Sequence, residues 1–313
     1  MSTGHILVVS TNPAVDVEWQ VTRLLPEEKN EILQERRWPG GKGVNVARWL
    51  TYMGSGVQLV LPLGGTHGRE IALGLKAEGI PFRPVPIRGS TRANVVVTTA
   101  GGGQYRLNPT WPVLDAAELE ALSSVVRREM KRCVALVLSG ALVRGAPVDL
   151  YADWIRQARD AGLPVFLDCD GPAFRVAAVQ GSLLVKPNVH ELEQWTGRPL
   201  VGTDALVVAA RELAEVTQGW VLVSRGAEGA LMLGPRDGPV WSRPAGRARV
   251  RNTVGAGDAL LAAVVHAFIQ GVPPRQWLSS GVRLARMAVQ LEPGKTFAGE
   301  PRRGAAQPSK GTP

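Results

Sequence analysis

Short apolar runs alternate with longer amphipathic runs from one end of the chain to the other, and this rhythm constrains the fold more than any other feature. The short runs are Ile6 to Ser10, Val57 to Leu63, Val134 to Ser139, Val165 to Asp168, Leu183 to Lys186 and Val221 to Ser224. Several are nearly unbroken Val and Leu, as in strands covered on both faces. Between them lie helical patterns at Val44 to Met53, Arg69 to Glu78, Ala116 to Cys133, Val148 to Ala161, Ala205 to Thr217, Ala259 to Gln270 and Arg275 to Leu291. Gly54, Gly79, Gly162 and Gly271 each follow a helical run, where a left-handed C-cap favours glycine. Such alternation predicts an α/β fold with a mostly parallel central sheet and crossover helices.

Two regions, 16–38 and 82–108, break that rhythm with polar–apolar alternation and no helical period. The second contains the turn Gly101-Gly102-Gly103 between Val95-Val96-Val97 and Tyr105-Arg106-Leu107. These strands predict a small β-sheet projecting from a main body over 1–292, either as a lid over a pocket or as a contact between two copies of the chain. From Pro293 the composition turns to Gly, Pro, Ala and charge, which predicts a flexible basic tail over 293–313.

At 313 residues and 45% hydrophobic, the chain can build a real core, which excludes a disulfide-stapled miniprotein and a disordered chain. The 36 basic and 27 acidic residues give a net charge of +9, spread along the sequence. No Lys/Arg cluster is interleaved with aromatics, so the expected partner is a phosphorylated metabolite and not nucleic acid. Cys133 and Cys169 lie far apart in apolar runs and read as buried thiols of a reducing compartment. The longest apolar stretch, Ala259 to Ile269, is interrupted by His266 and is too short to span a membrane. No basic leader precedes the first strand, so the expected location is cytoplasmic. His5, His67, His190 and His266 have no ligand or triad spacing.

The sharpest chemical signal is Asn252-Thr253-Val254-Gly255-Ala256-Gly257-Asp258, directly before an apolar helix. Glycines at a helix start leave its first N–H groups bare, and the helix dipole favours an anion there. The amides of Gly255, Ala256 and Gly257 can then stabilise a transferring phosphoryl group while Asp258 accepts a proton from the attacking hydroxyl. The competing reading is that Asp258 only caps its helix. A second glycine cluster, Pro39-Gly40-Gly41-Lys42-Gly43-Val44-Asn45, also opens a helix and reads either as a plain turn or as a close approach to a polyhydroxy ligand, with Asn45 donating to and accepting from hydroxyls. Asn12-Pro13-Ala14-Val15-Asp16 follows the first strand, where Asp16 can bind two hydroxyls. No G-x-x-x-x-G-K-[ST] sequence occurs, so a nucleotide would not be held by a P-loop.

The spacing of these three segments resembles the PfkB (ribokinase-like) family of carbohydrate kinases, and Lys186-Pro187-Asn188-Val189-His190-Glu191 and Ser224-Arg225-Gly226-Ala227-Glu228-Gly229 follow in family order. The resemblance implies a ribokinase-like three-layer α-β-α sandwich with a small β-sheet lid, ATP as donor, Mg²⁺, and Asp258 as catalytic base. Asn12-Pro13-Ala14-x-Asp16 and Thr91-Arg92-x-Asn94 are similar to the branch that acts on phosphosugars. By that similarity Asp16, Gly40, Gly41, Asn45 and Ser139 would contact the sugar, with Lys29 and Arg92 on its phosphate and Arg106 as a further clamp. A solvated sheet face is the competing reading for Lys29, Arg92 and Arg106. Asn188 and Glu191 would order Mg²⁺ through water, against a helix-capping reading of Asn188. Lys186, Ser224, Gly226 and Gly229 would border the nucleotide, with its base near 281–288.

Three departures stand out against the family pattern: Asn252 where Asp is usual, Ala141 in Ser139-Gly140-Ala141 where a hydroxyl is usual, and Asn108-Pro109-Thr110-Trp111-Pro112 after Arg106. The expected activity is phosphorylation of a hexose phosphate, first fructose 1-phosphate to fructose 1,6-bisphosphate. The alternatives are tagatose 6-phosphate or fructose 6-phosphate as acceptor, and a sugar-phosphate sensor without turnover. A homodimer through the lid is the expected assembly.

Overall fold

The computed structural model of the protein describes residues 4–291, and the tail expected from Pro293 lies outside them. Among the described residues the strands form two sheets, of nine and four strands. Third from one edge of the larger, β1 (His5–Val9) pairs in parallel with β4 (Val57–Leu63) and β8 (Cys133–Ser139). Successive β1 residues enter opposite clusters, Leu7 and Val9 on one face and Ile6 and Val8 on the other. A strand buried on both faces has no polar side to alternate with, which is why the run reads as continuous Ile, Leu and Val.

The parallel order continues through β9 (Val165–Asp168), β10 (Leu184–Val185) and β11 (Trp220–Ser224). The antiparallel β12 (Ala230–Leu233) and β13 (Val240–Arg243) complete that edge. One face of the sheet is covered by α3 (Ala116–Met130), α4 (Leu150–Asp160), α5 (Gly171–Ala178), α6 (Val189–Thr196) and α7 (Gly202–Thr217). The other is covered by α1 (Lys42–Tyr52), α2 (Gly65–Ala77), α8 (Ala256–Ile269) and α9 (Pro274–Ala288). This is the α/β fold with a mostly parallel sheet that the strand–helix rhythm predicts, in the three-layer form that the family resemblance implies. The α8 residues from Asp258 to Val265 are all buried, because α8 packs against the sheet, α1 and α9 at once and has no solvent face to make polar.

The smaller sheet runs in the order β3 (Gln34–Gly40), β2 (Ala14–Val21), β6 (Arg92–Thr99), β7 (Gln104–Leu107). In register, Asp16 lies opposite Asn94 and Trp38, so period-2 alternation puts Asp16, Arg92 and Asn94 on one face. Val15, Val17, Ala93 and Val95 go to the other face and join the core under α1 and α2. One expectation is corrected here. The segment Phe82–Pro86 forms β5, which pairs in parallel with β4 at the edge of the large sheet, so the smaller sheet takes up the chain again at Arg92. Pro84 and Pro86 lack N–H groups and suit an edge strand, and the buried Val85 anchors it to the core.

Truncation of Leu7, fully buried at the middle of β1, is expected to cost about 2–5 kcal/mol. Urea denaturation of Leu7→Ala against the parent checks this, and a loss below about 1 kcal/mol would contradict a close-packed two-faced core.

Candidate active site

The carboxyl ends of the parallel strands β1, β4, β8, β9, β10 and β11 lie along one rim of the large sheet, and the segments at Asn12, Ser139, Asp168, Lys186 and Ser224 follow from it. Ligands of open α/β sheets bind in the crevice outside those ends. The helix α8 faces it with Gly255 at its N-cap, held at φ 80° and making no side-chain cap. A left-handed residue is needed for the chain to enter the helix at this angle, and glycine adopts it without a steric penalty. Asp258, three residues in, is buried at 6% exposure. Its Oδ2 accepts a hydrogen bond from Asn45 Nδ2 at 2.8 Å, so the carboxylate is engaged across the crevice with α1.

A second carboxylate, Asp168 at the end of β9, has no exposed surface. Lys42 Nζ lies 3.2 Å from its Oδ1 and Lys186 Nζ lies 3.1 Å from its Oδ2. Burial works against the Asp168 charge, but the two ammonium groups outweigh it and hold the pKa below the usual carboxylate range. Lys42 also lies 3.3 Å from Glu191 Oε1 and 4.0 Å from Asp170 Oδ2. Burial disfavours its charge, yet Asp168, Glu191, Asp170 and Asp258 together raise its pKa above the lysine range. Asp258 is pushed up to about 6, first by burial and then by the Asp168 charge, against the lowering influence of Asn45, Lys186 and Lys42. A group with that pKa is ionised at neutral pH and still basic enough to take a proton.

On the opposite wall, Asp16 accepts a hydrogen bond from Asn94 Nδ2 at 2.9 Å. Its pKa is raised, because burial outweighs the hydrogen bonds and the nearby Arg48 and Arg92. Gly40 makes room for it: a Cβ at that position would stand 2.0 Å from Asp16 Oδ2. Arg92 donates through Nη2 to the Asn12 carbonyl at 3.2 Å, while its buried Nε has no protein partner. Asn12 Oδ1, Asn94 Oδ1 and the Oγ of fully buried Ser139 are likewise unpaired. Buried polar atoms are normally satisfied, and four without partners at one rim mark a surface suited to a polar ligand. The Tyr151 hydroxyl, wholly buried on α4, donates to the Gly140 carbonyl, and Thr11 Oγ1 donates to the Ala141 carbonyl, each at 3.1 Å. Ala141, which lacks the hydroxyl usual there, is thereby fixed through its backbone. Lys29, in the β2–β3 connection, and Arg106, on β7, are both exposed, and neither is hydrogen-bonded or ion-paired to the crevice. Arg106 pairs with Val96 in register and so shares the face of Asp16 and Asn94.

Asn188 and Glu191 form a reciprocal capping box at the start of α6. Asn188 Oδ1 accepts from the Glu191 amide at 2.8 Å and Glu191 Oε2 accepts from the Asn188 amide at 2.9 Å. The capping reading of Asn188 is therefore realised. Among the described residues no three His, Cys, Asp or Glu side chains are grouped to hold a metal directly. What the pair can offer a hydrated cation is free lone pairs toward its water shell. Ser224 ends β11, and Gly226 and Gly229 shape the tight turn closed by the Arg225 amide on the Gly229 carbonyl. Lys186 reaches across to α8, where a Cβ on Gly257 would be 3.5 Å from its Nζ. Between β13 and α9 lies a cavity of about 700 Å³ lined by Arg243, Gly246, Ser279, Ser280, Val282 and Arg286 among others.

Sequence reasoning did not assign roles to Lys42 and Asp168, which are central to this arrangement, nor to Arg48 and Glu78, which are joined by hydrogen bonds of 2.5 and 3.0 Å. Lys42 stood inside the glycine cluster, and Asp168 at a strand exit followed by Cys169-Asp170 was a readable signal. Arg48 and Glu78 carried none, since a basic residue on a helix and an acidic one at a helix end are ordinary surface features.

A family model described as pfkB family carbohydrate kinase matches residues 6–297, and the chain belongs to that family. Among its relatives is the 1-phosphofructokinase of Rhodobacter capsulatus, 34% identical over 272 residues that cover 86% of this chain and 85% of the relative. The ATP-dependent 6-phosphofructokinase isozyme 2 of Mycobacterium tuberculosis is 32% identical, with 93% of this chain and 85% of the relative covered. The crystal structure of phosphofructokinase-2 from Escherichia coli in complex with substrates and products superposes with a TM-score of 0.84 at 27% identity, covering 91% of this chain and 93% of the other.

The buried Asp168 yields a prediction with a sign. Lys186→Met removes one of its two counter-charges, and breaking a buried pair costs about 3–5 kcal/mol where the charge stays uncompensated. With its pKa depressed in the native protein, the Asp168 charge is stabilising above the unfolded pKa, and this contribution is lost as pH falls through the folded pKa. In the variant the carboxyl protonates more readily, so the gap in thermal midpoint between variant and parent should be widest near pH 8 and narrow toward pH 5. A gap independent of pH would remove the pairing account.

Proposed function

The chain is an ATP-dependent sugar-phosphate kinase of the pfkB family, and we propose that its first acceptor is fructose 1-phosphate, phosphorylated at its primary C6 hydroxyl to give fructose 1,6-bisphosphate. The observation that carries this reading is the buried Asp258 in the first turn of α8, beside the amides of Gly255, Ala256 and Gly257, which have no side-chain cap, Ala256 making only a long 3.5 Å bond to the Thr253 carbonyl. In this reading the carboxylate takes the hydroxyl proton while those amides and Lys186 receive the charge of the moving phosphoryl group. The unpaired Arg92 Nε suits the phosphate already on the substrate, since guanidinium donors match phosphate oxygens. Asp16, Asn45, Ser139 and the backbone of Gly40 and Gly41 suit the sugar hydroxyls. Lys29 and Arg106 would join the phosphate through movement of the smaller sheet, which acts as the lid.

The nucleotide would lie along Lys186, Ser224, Gly226 and Gly229, with its base in the cavity between β13 and α9. Asn188 and Glu191 would hold the water shell of Mg²⁺, which when bound neutralises phosphate charge. Exposed Ile32, Leu33, Tyr105, Leu107 and Trp111 on and beside the smaller sheet suit contact with a second copy of the chain. A second acceptor, fructose 6-phosphate, is favoured by the likeness to the mycobacterial 6-phosphofructokinase.

The test is ADP release over fructose 1-phosphate, fructose 6-phosphate, tagatose 6-phosphate and unphosphorylated sugars. The highest kcat/KM is expected with fructose 1-phosphate, and binding of the sugar without ADP above background would identify a sensor instead. Asp258→Asn should lower turnover by about 100- to 10,000-fold while substrate binding persists. In the parent enzyme kcat/KM should fall as pH drops through about 6, because a protonated Asp258 can no longer accept the proton. Arg92→Ala should raise KM for the sugar phosphate by about 10- to 100-fold and leave that for ATP little changed. Equal rises in both would argue against its placement on the substrate phosphate.

A further inference from the structure

Glu78, Arg48 and Asn45 form a hydrogen-bonded chain that ends on Asp258. Glu78, at the C-cap of α2, holds the Arg48 guanidinium by two bonds, Nε to Oε2 at 2.5 Å and Nη2 to Oε1 at 3.0 Å. Nη2 also donates to the Pro39 carbonyl at 2.6 Å, which ties the same group to the end of β3. Nη1 donates to Asn45 Oδ1 at 2.8 Å, one turn back along α1. Asn45 Nδ2 in turn donates to Asp258 Oδ2 at 2.8 Å.

The polarity of this chain is forced. A guanidinium has donors and no acceptor, so the amide must turn its oxygen toward Arg48 and its NH₂ toward Asp258. The opposite orientation would set N–H against N–H at one end and oxygen against carboxylate oxygen at the other. The Arg48 and Glu78 side chains are only 13% and 18% exposed, and each is held in a two-bond fork, so little freedom is left for the amide to turn.

Taking Asp258 as the base, as read above, we propose that Arg48 and Glu78 are positioning residues for phosphoryl transfer, which lock the Asn45 amide so that its NH₂ holds the Asp258 carboxylate in one orientation and in its ionised form. Both act through Asn45. Asn45 lowers the Asp258 pKa, alongside Lys186 beyond β10 and Lys42 on α1, while Asp168 on β9 raises it. Neither lysine is hydrogen-bonded to Arg48 or Glu78, so a change at Arg48 leaves those three influences in place; Arg48 also lowers the pKa of Asp16, which is read above as a sugar contact, so the deciding limb is that of kcat at saturating sugar phosphate. If the lock is lost, the amide can rotate, the donor leaves the carboxylate, and the base becomes harder to ionise. A purely structural role, stapling α1 to α2 and β3, would lower activity without this signature.

The experiment is the pH dependence of kcat and kcat/KM for parent, Arg48→Met, Arg48→Lys, Glu78→Gln and Asp258→Asn enzymes. One sugar phosphate is used throughout, so that ionisation of its own phosphate is common to all. In Arg48→Met the acid limb should move to higher pH by about one unit, giving a loss of about fivefold near pH 6 that approaches about tenfold at lower pH and largely disappears near pH 9. Arg48→Lys keeps one donor and should recover part of the shift, Glu78→Gln should show a smaller shift of the same sign, and KM for ATP should be unchanged. A uniform loss at every pH, or an acid limb coincident with that of the parent, would overturn the proposal. If Arg48→Met does not fold, Arg48→Lys and Glu78→Gln decide by the same criterion. Full turnover in Asp258→Asn would remove the base itself. An inactive Asp258→Asn with unmoved limbs in the Arg48 and Glu78 variants would remove only their positioning role.

Discussion

A carboxylate with no exposure to water, Asp168, sits at the end of a central strand, and it is tolerable only because two ammonium groups stand within 3.2 Å of it. Much of the crevice is arranged around that requirement. Lys42 arrives from the glycine-rich start of α1, and Lys186 from the exit of β10. Glu191 and Asp170 then share the Lys42 charge, which draws the start of α6 and the loop after β9 to the same point. The cluster thus joins three connections at one point, β3–α1, β9–α5 and β10–α6.

The same charges set the basicity of Asp258. Burial and Asp168 push its pKa up, while Asn45, Lys186 and Lys42 pull it down, and the balance falls near 6. An isolated exposed aspartate would be too weak a base, and an uncompensated buried one would stay protonated at neutral pH. The position in the first turn of α8 matters as well, because a helix that begins on a left-handed glycine without a side-chain cap keeps its amides available to an anion. The proposed anion site and the proposed base therefore both come from one local feature, the Gly255-Ala256-Gly257-Asp258 entry into an apolar helix.

The layered fold was legible because its signals are local and redundant. Each of β1, β4 and β8 is a run of apolar residues that only a two-faced sheet position can use, and the glycines after α1, α2, α4 and α8 end those helices in the left-handed region. What misled at Phe82 was also local. An alternating, proline-bearing segment looks the same at the edge of a large sheet as in a small one, and only the packing of Val85 against the main core assigns it. At the crevice, Asn45 and Asp258 stood out because glycines precede them, and Asp16 because it follows the exit of the first apolar strand. Arg48 and Glu78 did not, for the opposite reason: nothing in their neighbourhood is unusual until α1, α2 and β3 are brought together.

The sequence by itself determined the alternation of strands and helices, the helix entries that leave bare amides, and the residue types able to hold sugar hydroxyls and phosphate. These are read from neighbours within a few positions, and backbone geometry acts over that range. Only the tertiary structure decided that positions 42, 168, 186, 191 and 258 share one patch of charge, and that Asn45 turns its NH₂ toward Asp258. Coulomb and hydrogen-bond energies depend on distances of a few ångströms in space, and separation along the chain carries no information about those distances.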